Sequence, residues 1–334
     1  MAVFLVSGGL GLCAGLVLCV GSFGTYEIGP SVTTPKIKTV NRGGARHYIH
    51  PADPTATAVG VTSVLNGLAK PFLRYWASKV VAENAYDHAD TLLAFVMSGQ
   101  REEAVKWLKG TPNAFTGDAA VRGTAVHELT ESIDLAGALP PRMPKSSPLL
   151  PYARGYLAFR EETEAVILDV ERTIWSREFE YSGTLDRSLT IPESAFAGFD
   201  APPAWYEGPE KRIIADVKTT KSGVHSEVAL QLAAYSHAEE QLVADEHGVY
   251  SAESWPDHAA TGLVIHLRPD AWRLVPVKCG PDEFDVFCML RRLFTWERGV
   301  KDTLVLPDVA GEEWSGEHLV GFEAMVDGLR GLGG

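Results

Sequence analysis

Apolar residues recur at helical spacing through residues 61–163, and from residue 165 the pattern turns to strand-like alternation. Residues 35–50 are basic and interrupted by glycine, with Arg42-Gly43-Gly44-Ala45-Arg46 reading as a hairpin turn. Residues 61–94 read as helical with a break at Lys70-Pro71, where Pro71 fits the first residue of a new helix. On that helix Phe72, Trp76, Val80 and Val81 share a face, which predicts core packing rather than a platform for stacking bases. A short helix follows at 100–108, and Asp118 can cap another running to Leu135. Pro140, Pro141 and Pro144 mark a loop, then a helix covers 148–163.

Residues 165–178 are β-branched and apolar, and 180–191 alternate, so the two segments predict an antiparallel hairpin. A Pro- and Gly-rich loop at 192–210 leads to a short buried strand at 212–219 and a helix at 226–246. A second hairpin is predicted at 262–267 and 272–277 around Arg268-Pro269-Asp270, followed by a helix at 282–300 carrying Phe284, Phe287, Leu290 and Phe294. This order of elements predicts a mixed α/β (α+β) domain.

Composition changes this picture in three places. The 334 residues are 46% hydrophobic and 22% charged, as expected of a folded soluble chain, with room for one large domain or two small ones. The net charge of −13 argues against a protein that coats nucleic acid, though not against an enzyme with a local basic path to a metal site. Residues 1–30 stand apart: no charge precedes Glu27, and the stretch is apolar and rich in glycine. It reads as an unstructured or over-extended leader, as a membrane anchor, or as a packed segment; no basic residue precedes it as in a secretory signal, so membrane attachment is not favoured. The expected organisation is a leader at 1–30, one domain at 31–300 and a tail at 301–334. The cysteines Cys13, Cys19, Cys279 and Cys288 form no C-x-x-C pair, which points to a reduced, cytoplasmic chain.

The chemistry gathers in four segments. Asp186 on the 180–191 strand and Asp216 on the 212–219 strand supply two carboxylates; adjacent strands are about 4.8 Å apart, so both can reach one ion. Lys218, two residues beyond Asp216, shares its strand face. His127, four residues after Gly123 on a helix, offers an imidazole, with Glu131 one turn on as a partner to orient the ring. Gln231 and Tyr235 share a face of the next helix, where they could hold a phosphate or a water. Thr219, Thr220 and Lys221 lie between strand and helix as donors for a phosphate backbone. Such a set can hold Mg²⁺ or Mn²⁺, with imidazole favouring Mn²⁺, and activate water against a phosphodiester. No G-x-x-x-x-G-K-[ST] motif occurs, so ATP-driven unwinding is not expected.

GTAVH at 123–127, GTLD at 183–186, ADVKTT at 215–220 and QLAAY at 231–235 resemble, in order, the G-x-x-x-H, G-x-x-D, D-x-K and Q-x-x-x-Y motifs of the RecB-like branch of the PD-(D/E)XK nuclease superfamily. The likeness spans residues 58–300 and is strongest to phage-encoded and CRISPR-associated RecB-like exonucleases. It implies a restriction-endonuclease-like central mixed β-sheet flanked by helices, and a Mg²⁺- or Mn²⁺-dependent exonuclease that cuts linear DNA from its ends. Recombination, replication or repair is the implied setting, with proteins of recombination or replication as possible partners. His127, Asp186 and Asp216 would be metal ligands; Asp186, Asp216 and Lys218 would be catalytic, with Gln231 and Tyr235 in support. The alternatives are an endonuclease or flap nuclease of the same fold, and a catalytically silent DNA-binding or assembly module. Many relatives close a [4Fe–4S] cluster with four cysteines, one before the core and three after; here only Cys279 and Cys288 follow it, so no iron–sulfur cluster is expected.

Overall fold

A computed structural model describes residues 37–139, 143–221 and 223–299. The expectations for the leader at 1–30 and the tail at 301–334, and with them Cys13 and Cys19, lie outside the described residues. The chain divides into two compact units at Arg291/Arg292; the sheet and the site described below belong to the first.

The first unit is a ten-stranded mixed sheet flanked by helices. Strands β1 (Thr39–Arg42) and β2 (Ala45–His50) form the expected hairpin. Its turn residues Gly43 and Gly44 have φ of 56° and 75°, a conformation that glycine takes without penalty. Strand β3 (Asp53–Gly60) was not anticipated; it pairs antiparallel to β2 and runs directly into helix α1 (Val61–Leu65). The break at Lys70-Pro71 is present, with Pro71 at the N-cap of α2 (Phe72–Asp87), and α3 (Ala89–Met97) follows.

Three expectations need correction here. The short helix at 100–108 and the separate helix capped by Asp118 are one continuous helix, α4 (Arg101–Ala136), which passes through Gly110, Pro112 and Gly117. Packing against α2 and α3 carries it across these breakers: Trp107 meets Phe95 and His88, Phe115 meets Trp76, and Asn84 donates to Thr111 Oγ1. Of the face assigned to the core, Val80 is buried but Phe72 is 51% exposed. The helix expected over 226–246 stops as α6 (Glu227–Ser236), and Glu240–Ala244 is instead a strand, β7. The last carbonyls of α6 are taken by distant side chains: Tyr181 Oη donates to Ala234 O and Trp255 Nε1 to Tyr235 O, both at 2.9 Å. Beyond them β7 pairs with β4 and with β8 (Tyr250–Ser254).

The remaining elements match their sequence signals. Helix α5 (Leu150–Thr163) precedes the hairpin of β4 (Val166–Ser176) and β5 (Tyr181–Thr190). A single turn at Glu193–Phe196 interrupts the loop before β6 (Ile213–Lys218). Strands β9 (Thr261–Arg268) and β10 (Ala271–Lys278) form the last hairpin, before α7 (Pro281–Gly299). The core holds Val126, Leu129 and Ile133 of α4 and Tyr156 and Phe159 of α5 against Leu189 of β5, Ala215 and Val217 of β6, and Ile265 of β9. Among the described residues no helix is long and apolar enough to cross a membrane.

One topological detail positions the site. Along one edge β5 pairs with β4 from end to end, with one register shift between Ile167 and Asp169, but its other edge is shared by two strands. Strand β3 pairs in parallel at Val59↔Tyr181 and Gly60↔Ser182, and β6 pairs antiparallel from Leu189↔Ile213 to Arg187↔Ala215. Residues 183–186 lie between these two ladders, in a gap toward which the carboxyl ends of β3 and β6 both run.

Candidate active site

Asp186 is the last residue of that gap and Asp216 is the next residue of β6 beyond the paired segment. Where the ladder ends, the Asp186 side chain takes the place of a backbone acceptor: Val217 N donates to Asp186 Oδ2 at 2.8 Å. The same oxygen lies 3.1 Å from Nδ1 of His127 on α4. Two residues along β6, Lys218 Nζ stands 2.6 Å from Asp216 Oδ2, as the period-two alternation requires. From α6, Gln231 Nε2 donates to both Asp216 Oδ1 and Tyr235 Oη at 3.3 Å. The structure therefore brings His127, Asp186, Asp216, Lys218, Gln231 and Tyr235 into one connected cluster, reached from α4, β5, β6 and α6.

Local sequence explains the fit. Gly183 lies beneath the Tyr235 ring, and a Cβ there would sit 2.6 Å from Tyr235 Cε1 and 3.1 Å from Val61 Cγ2. Only glycine lets the phenol lie against β5 and bring its oxygen to Gln231. Gly123 has no such role: a Cβ there would make an ordinary contact, 3.8 Å from Thr219 Oγ1. Glu131 makes no hydrogen bond or ion pair with His127 among the described residues; the imidazole is oriented by Asp186 instead. Thr219, Thr220 and Lys221 follow Lys218 directly, and the loop is anchored through its backbone: His266 Nε2 donates to Thr220 O at 2.8 Å, and Thr220 Oγ1 donates to Gly223 O at 2.6 Å. Thr220 and Lys221 are exposed.

The electrostatics follow from burial and from the partners. Burial alone would push each group toward its neutral form. For Asp186 the hydrogen bond and charge of His127, with Arg187 and Lys218 behind, outweigh burial and hold the carboxyl below its ordinary range. For Asp216 burial and the charge of Asp186 win over Lys218, and its pKa is raised. Burial opposes the charges of His127 and Lys218, but the two carboxylates overcome it and raise both pKa values. Glu227, the first residue of α6, adds to this effect on Lys218 while it holds Lys70 Nζ at 2.9 Å. Glu227 thus acts on the site although no motif carries it; the available signal was its position one helical turn before Gln231.

No protein-family model and no curated protein matches this chain. The chemistry of the site rests on its own geometry.

That geometry can be tested against a divalent cation. The donor set, two carboxylates and an imidazole, suits Mg²⁺ or Mn²⁺. Asp216 Oδ2 is buried, and the Lys218 ammonium at 2.6 Å is the charge beside it. As the side chains stand, His127 and Lys218 engage the carboxylates, and no group of three His, Cys, Asp or Glu residues among those described is arranged around a common ion position. The residues fit such an ion by the chemistry of the donor set alone. Cys279 and Cys288 are both buried, with the Cys279 thiol pushed up to about 12 by burial.

A second buried network backs the site and was not anticipated. Arg187, next to Asp186, is 1% exposed; its Nε donates to Asp134 Oδ2 at 3.0 Å and its Nη2 to Thr130 Oγ1 at 3.1 Å. Asp134 also accepts from Arg160 Nη1 at 2.6 Å and from Tyr156 Oη at 2.6 and 2.7 Å. His127, Thr130 and Asp134 share one face of α4, so this network fixes the helix that carries the imidazole onto the strand that carries Asp186.

Proposed function

We propose that the protein is a metal-dependent deoxyribonuclease of the PD-(D/E)XK type that hydrolyses phosphodiester bonds of linear DNA from its ends, in the cytoplasm and in the service of recombination, replication or repair. The observation that carries this reading is the meeting of Asp186 and Asp216 at the gap in the sheet, with His127 and Lys218 against them. Asp186, Asp216 and His127 would hold Mg²⁺ or Mn²⁺; when bound, such an ion neutralises phosphoryl charge and makes water nucleophilic near neutral pH. The protein supplies the rest. Lys218, kept protonated by the carboxylates, would donate to an attacking water or a phosphoryl oxygen. Gln231 fixes the Asp216 carboxylate from behind and draws the Tyr235 hydroxyl toward it. The exposed loop with Thr219, Thr220 and Lys221 offers donors to the DNA backbone. The acidic chain needs no broad basic surface for this task, only that local path.

The test is digestion of end-labelled linear DNA and of covalently closed circles, with Mn²⁺ and with EDTA. Loss of linear DNA alone supports an exonuclease, whereas nicking of circles makes the enzyme an endonuclease. Asp216→Ala should abolish hydrolysis with the far-UV circular dichroism unchanged. Cutting by that variant at the wild-type rate would refute the site.

A further inference from the structure

We propose that the exposed ring of Phe72, backed by His225, is a stacking subsite for an unpaired nucleobase of the DNA end that enters the site. This rests on the nuclease reading above and deepens it: the strand presented to Lys218 is single-stranded where it crosses this rim.

Four observations carry it. Phe72 begins α2 and lies nearly parallel to the His225 imidazole, with an interplanar angle of 9° and centroids 5.8 Å apart. His225 covers one face, and the 51% exposure of Phe72 leaves ring surface open to solvent. An exposed aromatic ring held flat by a second ring extends a stack at little cost in entropy, and every base has a π-face to add. The pair also sits beside the chemistry. His225 ends the loop that starts at Thr219, and two residues before Phe72 stands Lys70, paired with Glu227, whose charge acts on Lys218. The surroundings suit a polyanion: Arg74 and Lys221 are exposed near the two rings in sequence, one on each segment. Tyr75, 80% exposed one turn after Phe72, continues the aromatic line along the same side of α2. A base inside a duplex is paired and stacked on both faces, so an unpaired nucleotide reaches such a ring without the unstacking cost that an internal base pays.

The experiment uses the whole chain and three probes: a fluorescein-labelled single-stranded dT oligonucleotide, the same oligonucleotide with abasic terminal nucleotides, and a blunt duplex. Binding is read by anisotropy with Ca²⁺ replacing Mn²⁺, and hydrolysis with Mn²⁺ is resolved into kcat and KM. Phe72→Ala should weaken dT binding about tenfold and raise KM to match, while Phe72→Trp stays within about twofold of wild type. The abasic probe and the duplex should not distinguish Phe72→Ala from wild type. Equal binding of dT by wild type and Phe72→Ala would overturn this subsite and leave the nuclease standing. A wild-type protein that neither binds nor cuts any of the probes would overturn both readings.

Discussion

The buried network around Asp134 allows the sharpest physical test of the fold. Asp134→Asn keeps the shape of the side chain and removes only its charge. The carboxylate now faces two guanidinium groups and a phenol, accepting from Arg187, Arg160 and Tyr156. The Arg160 side chain is 13% exposed and can lean toward water, but the Arg187 side chain is 2% exposed and cannot. A guanidinium does not give up its proton in proteins, and here burial is outweighed by its partners so that its pKa rises further. The variant therefore leaves a full positive charge inside the core without its hydrogen-bonded counter-charge, the Asp186 carboxylate remaining as the neighbouring negative group. Removing one partner of a buried pair costs about 3–5 kcal/mol, against a total stability of about 5–15 kcal/mol for a typical domain. The variant should remain folded but markedly weakened. Urea unfolding followed by tryptophan fluorescence should show a lower midpoint with an unchanged slope. Replacing both charges, Asp134→Leu with Arg187→Met, should recover most of the loss, because an apolar pair removes the desolvation cost on both sides. If Asp134→Asn costs less than about 1 kcal/mol, water reaches Arg187 and the account of α4 being locked onto β5 is wrong.

The remaining predictions are as direct. Gly183→Ala puts a methyl 2.6 Å from the Tyr235 ring and should destabilise by about 1–3 kcal/mol while lowering activity, measured by urea unfolding and by DNA digestion. His258 is buried against Trp255, and burial together with Arg212 lowers its pKa to about 4. Its folded pKa lies below the unfolded value, so its neutral form favours folding above pH 6.5 and that stability is lost as pH falls toward 4. Wild type should lose about 2 kcal/mol more than His258→Phe between pH 7 and pH 5 in urea unfolding at each pH; equal slopes would show that His258 is hydrated. Mn²⁺ at a hundredfold excess over its dissociation constant should stabilise wild type by about 2.7 kcal/mol, EDTA should reverse this, and Asp216→Asn should show no response in thermal melts.

Much of the architecture could be read from the chain, and the exceptions share a cause. The β4–β5 hairpin, β6 and the β9–β10 hairpin follow local alternation and turn residues, and these are the elements that carry Asp186, Asp216 and Lys218. The C-terminal boundary of α6 was not local: good helix formers continue past Ser236, and it is Tyr181 and Trp255, distant in sequence, that take the final carbonyls. Strand β3 was hidden because Asp53-Pro54 opens it and its first residues are exposed, so no apolar alternation announces it. With β3 unread, the gap it leaves along β5 could not be foreseen either. Arg187 and Asp134 look like surface charges in any window of sequence, and only three-dimensional packing makes them core. Phe72 misled in the opposite direction, because its helical spacing with Val80 suggested burial that the neighbouring helices do not supply.

Asp134, Asp169 and Asp216 all bury their carboxylates in charged clusters, and the comparison between them separates structure from chemistry. Asp134 uses both oxygens on aligned donors. Asp169 does the same, with Arg172 on Oδ1 and with Ser188 and Arg212 on Oδ2. Each is a closed network that joins elements of the fold. Asp216 differs: Oδ1 receives a bond of 3.3 Å from Gln231, and Oδ2 has an ammonium beside it but no aligned donor. Arg187 also has an unpartnered nitrogen, Nη1, but a guanidinium spreads its charge over five donors and this one lies over the Tyr156 ring. A carboxylate has no such substitute. Strand β6 could have carried an apolar residue at 216 and packed as Ile214 does, at a lower desolvation cost. An acid kept there, held by the Lys218 ammonium and one long bond from Gln231 where two strand ends open onto a gap, is a cost the fold itself does not require, and the proposed metal would give it a use.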